Sequence, residues 1–354
     1  MSTILIDEEQ HMWVCGDTLL YQFRLNNVNN VNILTKIPDF KVISISRGIS
    51  QTVFITENYD VYVCGSNIFG QLGLGHKNGV KVFIKIPDFK AISSSCGILH
   101  TIFITEDHDV YVCGDNIDGQ LGLGNVNTEI PTKIPDFKAV SVSCGYSHTA
   151  FMKENNDVYM CGINTYGQLG LGHKNSVKTP TKILNLKAIS LSCGSQHTAF
   201  ITENNDVYLC GYNRSGQLGL GHNNNVKTPT KIPDFKAISV YCGNQYTLFT
   251  TENYDVYVCG NNTYGKLGLG HDNDINTPTK IPDFKAVSIS YSCYDHAIFI
   301  TEDYDVYVCG YNYNCQLGLG HDGYTMVPTK IPDLNFKPLL KKRRFNNTKS
   351  ARNI

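Results

Sequence analysis

The chain has 354 residues, 42% of them apolar, 17% charged, and a net charge of −1. That content supports a sizeable core, and no run approaches the roughly 18 apolar residues a membrane helix needs. The opening, MSTILIDEEQ, lacks the basic and apolar regions of a secretory signal. The expected address is intracellular, cytoplasmic or nuclear, and the Asn-x-Ser/Thr matches at Asn213, Asn261 and Asn346 are incidental.

From the N-terminus onward one feature dominates. Cys-Gly recurs at Cys15, Cys64, Cys113, Cys161, Cys210, Cys259 and Cys309, at intervals close to 49 residues. A period of this size marks a repeat architecture. Twelve of the thirteen cysteines occupy matching points of the repeat and the total is odd, which predicts buried free thiols and no disulfides.

Within a unit the apolar period is two. In residues 186–192 Ile189 and Leu191 alternate with serines, and 197–202 (HTAFIT) reads as a half-buried strand. The turn-formers Glu203, Asn204, Asn205 and Asp206 predict a tight reversal into the antiparallel strand 207–211. The glycines of GQLGLG fit positive φ or close packing, and the prolines of PTKIP fit an edge strand. Each unit thus supplies three to four short strands and no helix.

Seven such units predict one all-β domain, a seven-bladed β-propeller of about 49-residue repeats spanning 1–340. Units start near 12, 61, 110, 158, 207, 256 and 306. Residues 3–16 align without a gap to 198–211, so the chain begins in mid-repeat, and the seventh unit loses the pattern after Leu340. The expected closing blade is therefore shared between the two termini, residues 1–11 completing the last blade. Pro338 replaces an alanine there, so that blade is expected to lose a strand after Leu340.

The unit VY-x-CG-x-N-x-x-GQLGLG, followed by P-x-K-I and I-S-x-S-CG-x-x-HT, resembles the repeat of the regulator of chromosome condensation family over nearly the whole chain. The resemblance implies a seven-bladed propeller and a repertoire of guanine-nucleotide exchange on a small GTPase, chromatin binding, and protein-interaction modules. Fold analogy does not choose among these. Exchange in the founding member uses a wedge inserted into one blade, together with acidic residues on that face. No unit here exceeds about 50 residues, and no position matches that segment.

The residues themselves point away from catalysis. Gly-x-x-Gly-x-Gly lacks the order and the following helix of a phosphate loop. The Cys-x-x-x-His pairs Cys96/His100, Cys144/His148 and Cys193/His197 are spread one per blade, whereas zinc gathers four ligands at one centre. Gln51 and Tyr246 replace the histidine in two repeats, so a hydrogen-bonded structural role is expected. His76, His173, His222, His271 and His321 read as solvated loop residues, and acids such as Asp206 and Asp255 as turn residues. No catalytic, cofactor or metal site is predicted.

Charge separates the body from the tail. Residues 335–354 carry seven cations and no acid, and the chain totals −1, so 1–334 carry −8. An acidic ring disfavours direct DNA binding and steers a basic protein towards it. Lys341, Lys342, Arg343 and Arg344, in a flexible basic tail 341–354, form a candidate import signal or basic contact.

Residues that depart from the chain's own unit are the remaining candidates for recognition: Phe83, Ile84, Arg214, Lys266, Tyr291, Tyr294 and Asp295. The sequence thus predicts a monomeric, non-catalytic protein-interaction scaffold whose partner is a protein, either basic or a small GTPase. An exchange factor and a tail-mediated chromatin adaptor are the alternatives.

Overall fold

The computed structural model describes residues 2–17, 30–291 and 295–332. Within them the chain is built of antiparallel strands, with one single-turn 3₁₀ segment at Thr263–Gly265. Blade 1 comprises β1 (Ser2–Ile6), β2 (His11–Asp17) and the first part of β3 (Asn30–Arg47). The remainder of β3, with β4 (Gln51–Thr56), β5 (Asp60–Gly65) and β6 (Val80–Lys90), makes blade 2. Because β3 runs unbroken for 18 residues, the two blades share one six-stranded sheet. Five four-stranded sheets follow, at 93–138, 141–187, 190–236, 239–285 and 288–330, as blades 3 to 7.

The blades are out of phase with the sequence unit. β1 pairs with β2, and residues 288–330 form a four-stranded sheet. The strand expected from the region around Leu340 lies outside the described residues.

Strand alternation explains the core. In blade 5 Ala199, Ile201, Val207 and Leu209 pack towards blade 6 with Phe249 and Cys259. The intervening Phe200 and Cys210 pack towards blade 4 with Ala150, Met160 and Leu169. The second strand His197–Ile201 is therefore buried along its whole length rather than half-buried, because a blade is sandwiched between two others. Serial inter-blade cores replace one central core, so each unit needs its neighbours.

The recurring residues of the unit are latches between blades. The thiols of Cys15, Cys113, Cys161, Cys210 and Cys259 donate to the carbonyl of the preceding blade's loop glutamine, as Cys113 Sγ to Gln71 O (3.4 Å) and Cys210 Sγ to Gln168 O (3.6 Å), and Cys309 to that of Lys266 in the glutamine's place. The last glycine of that loop donates its N–H forward to the next blade's outer strand: Gly75 to Glu129, Gly124 to Lys178, Gly172 to Lys227, Gly221 to Asn276, Gly270 to Met326 and Gly320 to Asn32. The last of these joins blade 7 to blade 1 and closes the ring.

Gly119 shows why the loop needs glycine. Its φ is +86°, and a Cβ there would sit 2.4 Å from Lys178 Cα of the next blade. Gly124 has φ +71° but nothing within 4 Å of a Cβ. Gly119→Ala is therefore expected to cost about 3 kcal/mol or more and Gly124→Ala only about 1 kcal/mol, which urea unfolding of the two variants will resolve.

Candidate interaction face

Successive antiparallel strands put the loops that follow the inner and third strands at one end of the propeller, and the tight hairpins at the other. The loop end carries the GQLGLG segments. Each is pinned by a fully buried asparagine: Asn213 Oδ1 accepts the N–H of Leu218 at 2.8 Å, and its Nδ2 donates to the carbonyls of His222 and Asn224. His173, His222 and His321 of these loops are exposed, as expected. His76 and His271 are half-buried, their Nδ1 accepting the N–H of Asn78 and Asn273.

Beneath the loops a belt of buried side chains runs from blade to blade. His100 Nε2 meets Thr149 Oγ1 at 3.1 Å, His148 meets Thr198 at 3.0 Å, His197 meets Thr247 at 2.9 Å, and His296 meets Thr3 at 2.9 Å. Each threonine gives its one proton to a glutamine carbonyl, as Thr149 does to Gln120 O (2.7 Å), so the histidine must donate from Nε2. Burial pulls the pKa of all four down from 6.5 to about 3, which keeps them neutral. The substitutes preserve the linkage: Gln51 Nε2 donates to the carbonyls of Gly97 and His100, and Tyr246 Oη to that of His296 (3.1 Å). These groups are structural, as the sequence suggested.

The Asp-Val-Tyr acids are not turn residues. The turn position with positive φ is occupied by the preceding residue, Tyr59, His108, Asn156, Asn205, Tyr254 or Tyr304. The acids open the third strand and pair with a lysine of the outer strand: Asp109 with Lys133 at 2.6 Å, Asp157 with Lys182 at 2.7 Å and Asp206 with Lys231 at 3.0 Å. Hydrogen bonds from those lysines hold the three carboxyls below the usual range. The pairs staple a sheet edge at the surface and so contribute little each.

All twelve described cysteines are buried and free. Burial pushes Cys15 and Cys193 up to about 12 and the other Cys-Gly thiols higher still, so they are poor nucleophiles. In a Cys293→Ser variant, which leaves only the twelve described cysteines, the native protein is expected to resist a thiol-reactive dye at pH 8. A burst of reaction should appear only on unfolding, with Cys315, which lies nearest the surface, modified first.

Around the axis, Arg47, Ile49, Cys96, Ile98, Cys144, Tyr146, Cys193 and Cys242 border a cavity of about 40 Å³, far below the several hundred Å³ of a small-ligand site. Among the described residues one group, Asp7, Glu9 and His11, brings metal-ligating atoms within 4.8 Å of one another. Its donors are already engaged. Asp7 accepts from the His11 N–H (2.7 Å) and Trp13 Nε1 (2.8 Å), and His11 Nδ1 lies 3.3 Å from both carboxylates.

The departures from the unit fall into two sets. Phe83 is half-buried against Phe54, with ring centroids 4.6 Å apart, and reaches the core formed by Met12, Val14 and Ile37; it packs blade 2 on blade 1. Ile84 beside it is 37% exposed. Arg214 is exposed on the loop face. Tyr294 and the Tyr291 side chain lie outside the described residues, as do Lys341, Lys342, Arg343 and Arg344.

The second set meets at the junction of blades 6 and 7. Lys266 replaces the loop glutamine and is 2% exposed. Its Nζ lies 2.6 Å from Asp295 Oδ1 and 5.5 Å from the centre of the Tyr246 ring, so three departures compensate one another in a single internal contact. Above them, sequence reasoning missed a cluster of four tyrosines. Ring centroids of Tyr264 and Tyr311 are 4.9 Å apart, Tyr311 and Tyr313 5.2 Å, Tyr313 and Tyr324 6.4 Å, and Tyr324 and Tyr264 6.1 Å. Tyr313 is 52% and Tyr324 45% exposed. The signal was present, since 311–313 read Tyr-Asn-Tyr where unit five has Tyr-Asn-Arg, but 21 tyrosines in the chain obscured it.

The family model for the regulator of chromosome condensation (RCC1) repeat matches residues 60–104, 107–152, 155–201, 204–250, 255–298 and 304–341, well over half of the sequence. The chain belongs to the RCC1 repeat family. A second model of the RCC1 repeat matches 92–120, 139–168 and 188–217. No curated protein matches the sequence. Among solved structures, this RCC1-repeat propeller is similar to Prp20p from Saccharomyces cerevisiae, with 21% identity, a TM-score of 0.81, and coverage of 93% of this chain and 87% of that one. It is also similar to human WBSCR16, at 22% identity and TM-score 0.77, covering 86% of each chain. The Prp20p structure is described together with its binding to Gsp1p and histones, and another, of yeast RCC1 (Prp20), holds Kap60. At this identity the likeness establishes the propeller fold. No helix among the described residues is long and apolar enough to cross a membrane.

Proposed function

We propose that this RCC1-repeat propeller is a non-catalytic protein-interaction scaffold, monomeric and intracellular, that engages a protein partner through its loop face. The observation that carries the reading is the distribution of departures. The repeated Cys, Gly, Gln, His and Thr residues are used up in joining blades, whereas Tyr313 and Tyr324, exposed side chains that break the repeat, meet on the loop face of blade 7 beside Tyr264 and Tyr311, a pair that recurs as Tyr166 and Tyr212. A rigid frame with one differentiated loop cluster is the arrangement recognition surfaces use.

Exchange on a small GTPase is the second reading, supported by the family and by the Prp20p likeness. The two separate in a pull-down from the native cell's reduced lysate, run with excess GTP and magnesium and again with EDTA. A scaffold is expected to recover its partners equally in both arms. A small GTPase recovered only with EDTA, where nucleotide is stripped, overturns the scaffold reading in favour of exchange. A chromatin adaptor acting through the basic tail would instead show steep salt dependence, lost when Lys341, Lys342, Arg343 and Arg344 are neutralised.

A further inference from the structure

We infer that the loop face of blades 6 and 7 binds an extended cationic peptide, rich in arginine or lysine, whose side chains lie against the rings of Tyr264, Tyr311, Tyr313 and Tyr324. The inference rests on the loop face being the docking face and names the chemistry of its partner.

The four rings form a closed circuit in which each touches two others, with interplanar angles of 64°, 53°, 48° and 56°. Tilted rings leave their π faces available, and an aromatic face attracts a guanidinium or ammonium within about 6 Å of its centre. Tyrosine also supplies broad contact area at low cost in side-chain entropy. Tyr264 is held at φ +64°, in the left-handed region; its counterparts in the other described loops, Phe69, Asp118, Tyr166, Ser215 and Asn314, do not share this conformation. The loop's Gly265 lies against Met326 of blade 7, two residues from Tyr324, so the loops of the two blades meet at these rings.

Charge selects the ligand. The loops carrying these tyrosines also carry Asp272, Asp274 and Asp322, all exposed. Their one lysine, Lys266, is buried and neutralised by Asp295. By contrast the corresponding loops of blades 2, 4 and 5 carry Lys77, Lys174 and Arg214 and no acid. An acidic aromatic surface on a body with net charge −8 over residues 1–334 repels nucleic-acid phosphates and anionic peptides and draws a basic segment.

The test uses the full chain and fluorescence anisotropy of a labelled Arg-Lys-rich peptide, with a Glu-rich peptide and oligothymidylate as competing probes. Binding of the basic peptide alone is expected, weakened threefold or more by Tyr313→Ala or Tyr324→Ala and tenfold or more by both. Tyr313→Phe, which keeps the ring, should bind as the parent does. Tyr166→Ala, on the same face in blade 4, should have no effect, and both exposed-site variants should melt as the parent does. Equal binding by the double variant, or preference for oligothymidylate, overturns the inference. So does a tenfold gain on changing Lys341, Lys342, Arg343 and Arg344 to Gln, because the chain's own tail would then be the occupant. Failure here with partner recovery intact in both pull-down arms removes this inference alone; recovery of a GTPase only with EDTA removes the scaffold reading beneath it.

Discussion

Lowering the pH from 7.5 to 5 is expected to remove most of the stability of this propeller, well above the range in which carboxylates titrate. His100, His148, His197 and His296 are fully buried and neutral, their pKa values pulled from 6.5 to about 3 by burial first, with the Arg47 charge acting in the same direction on His296. In the unfolded chain each takes up a proton near 6.5. Below that pH the unfolded state binds more protons than the folded one, so stability falls as pH drops from about 6.5 towards about 3. The loss is about 2 kcal/mol per histidine at pH 5, and four together rival the 5–15 kcal/mol that holds an ordinary domain folded. The paired aspartates act in a separate window. Their lowered pKa values give stability that is present above the ordinary carboxylate value of 3.8 and lost only below it.

Urea unfolding at pH 7.5, 6 and 5 measures the effect directly. His148→Gln should reduce the acid loss by roughly a quarter, since Gln51 shows that the belt accepts an amide at this position. A stability that stays flat between pH 7.5 and 5 would mean that the imidazoles are not buried as neutral groups.

The blades were legible because the chain writes its strand pattern seven times. A spacing of about 49 residues, the two-residue apolar period and Cys-Gly were enough for the architecture. The partners of the repeated residues were not legible, because they lie in other strands and other blades: His148 answers to Thr198, fifty positions away, and Asp157 to Lys182 across a strand pair. That is why Asp-Val-Tyr looked like turn chemistry. The candidate face was half legible. Lys266 and Asp295 stood out as departures, but only packing shows that they cancel each other inside the junction, while Tyr264, Tyr311, Tyr313 and Tyr324 come together from two blades. Single-sequence pattern finds what breaks a repeat; it does not find which breaks meet in space.

Ring closure is where a single substitution should do the most damage. Among the described residues, side chains and a few backbone bonds hold blade 7 to blade 1. Thr3 Oγ1 donates to Gln316 O at 2.6 Å while accepting from His296 Nε2, Cys15 Sγ donates to the same carbonyl at 3.2 Å, and Ile33 bridges Leu319. Leu5, Cys15 and Leu34 share a core with Ile298, Val308, Leu317 and Ile331. Thr3→Val keeps the shape but strands a buried imidazole N–H and weakens the hold on a carbonyl, at a cost of about 1–3 kcal/mol. Leu5→Asp is expected to cost about 4 kcal/mol or more, because it puts a carboxylate with no partner into that core. An opened ring also exposes the apolar faces of blades 1 and 7, so the variant should gain oligomers on size-exclusion chromatography while keeping its β-sheet circular dichroism. The corresponding change in the chain-linked junction of blades 4 and 5, Phe200→Asp, should destabilise without that association. If Leu5→Asp melts as the parent does and stays monomeric, the N-terminal strand does not hold the ring closed.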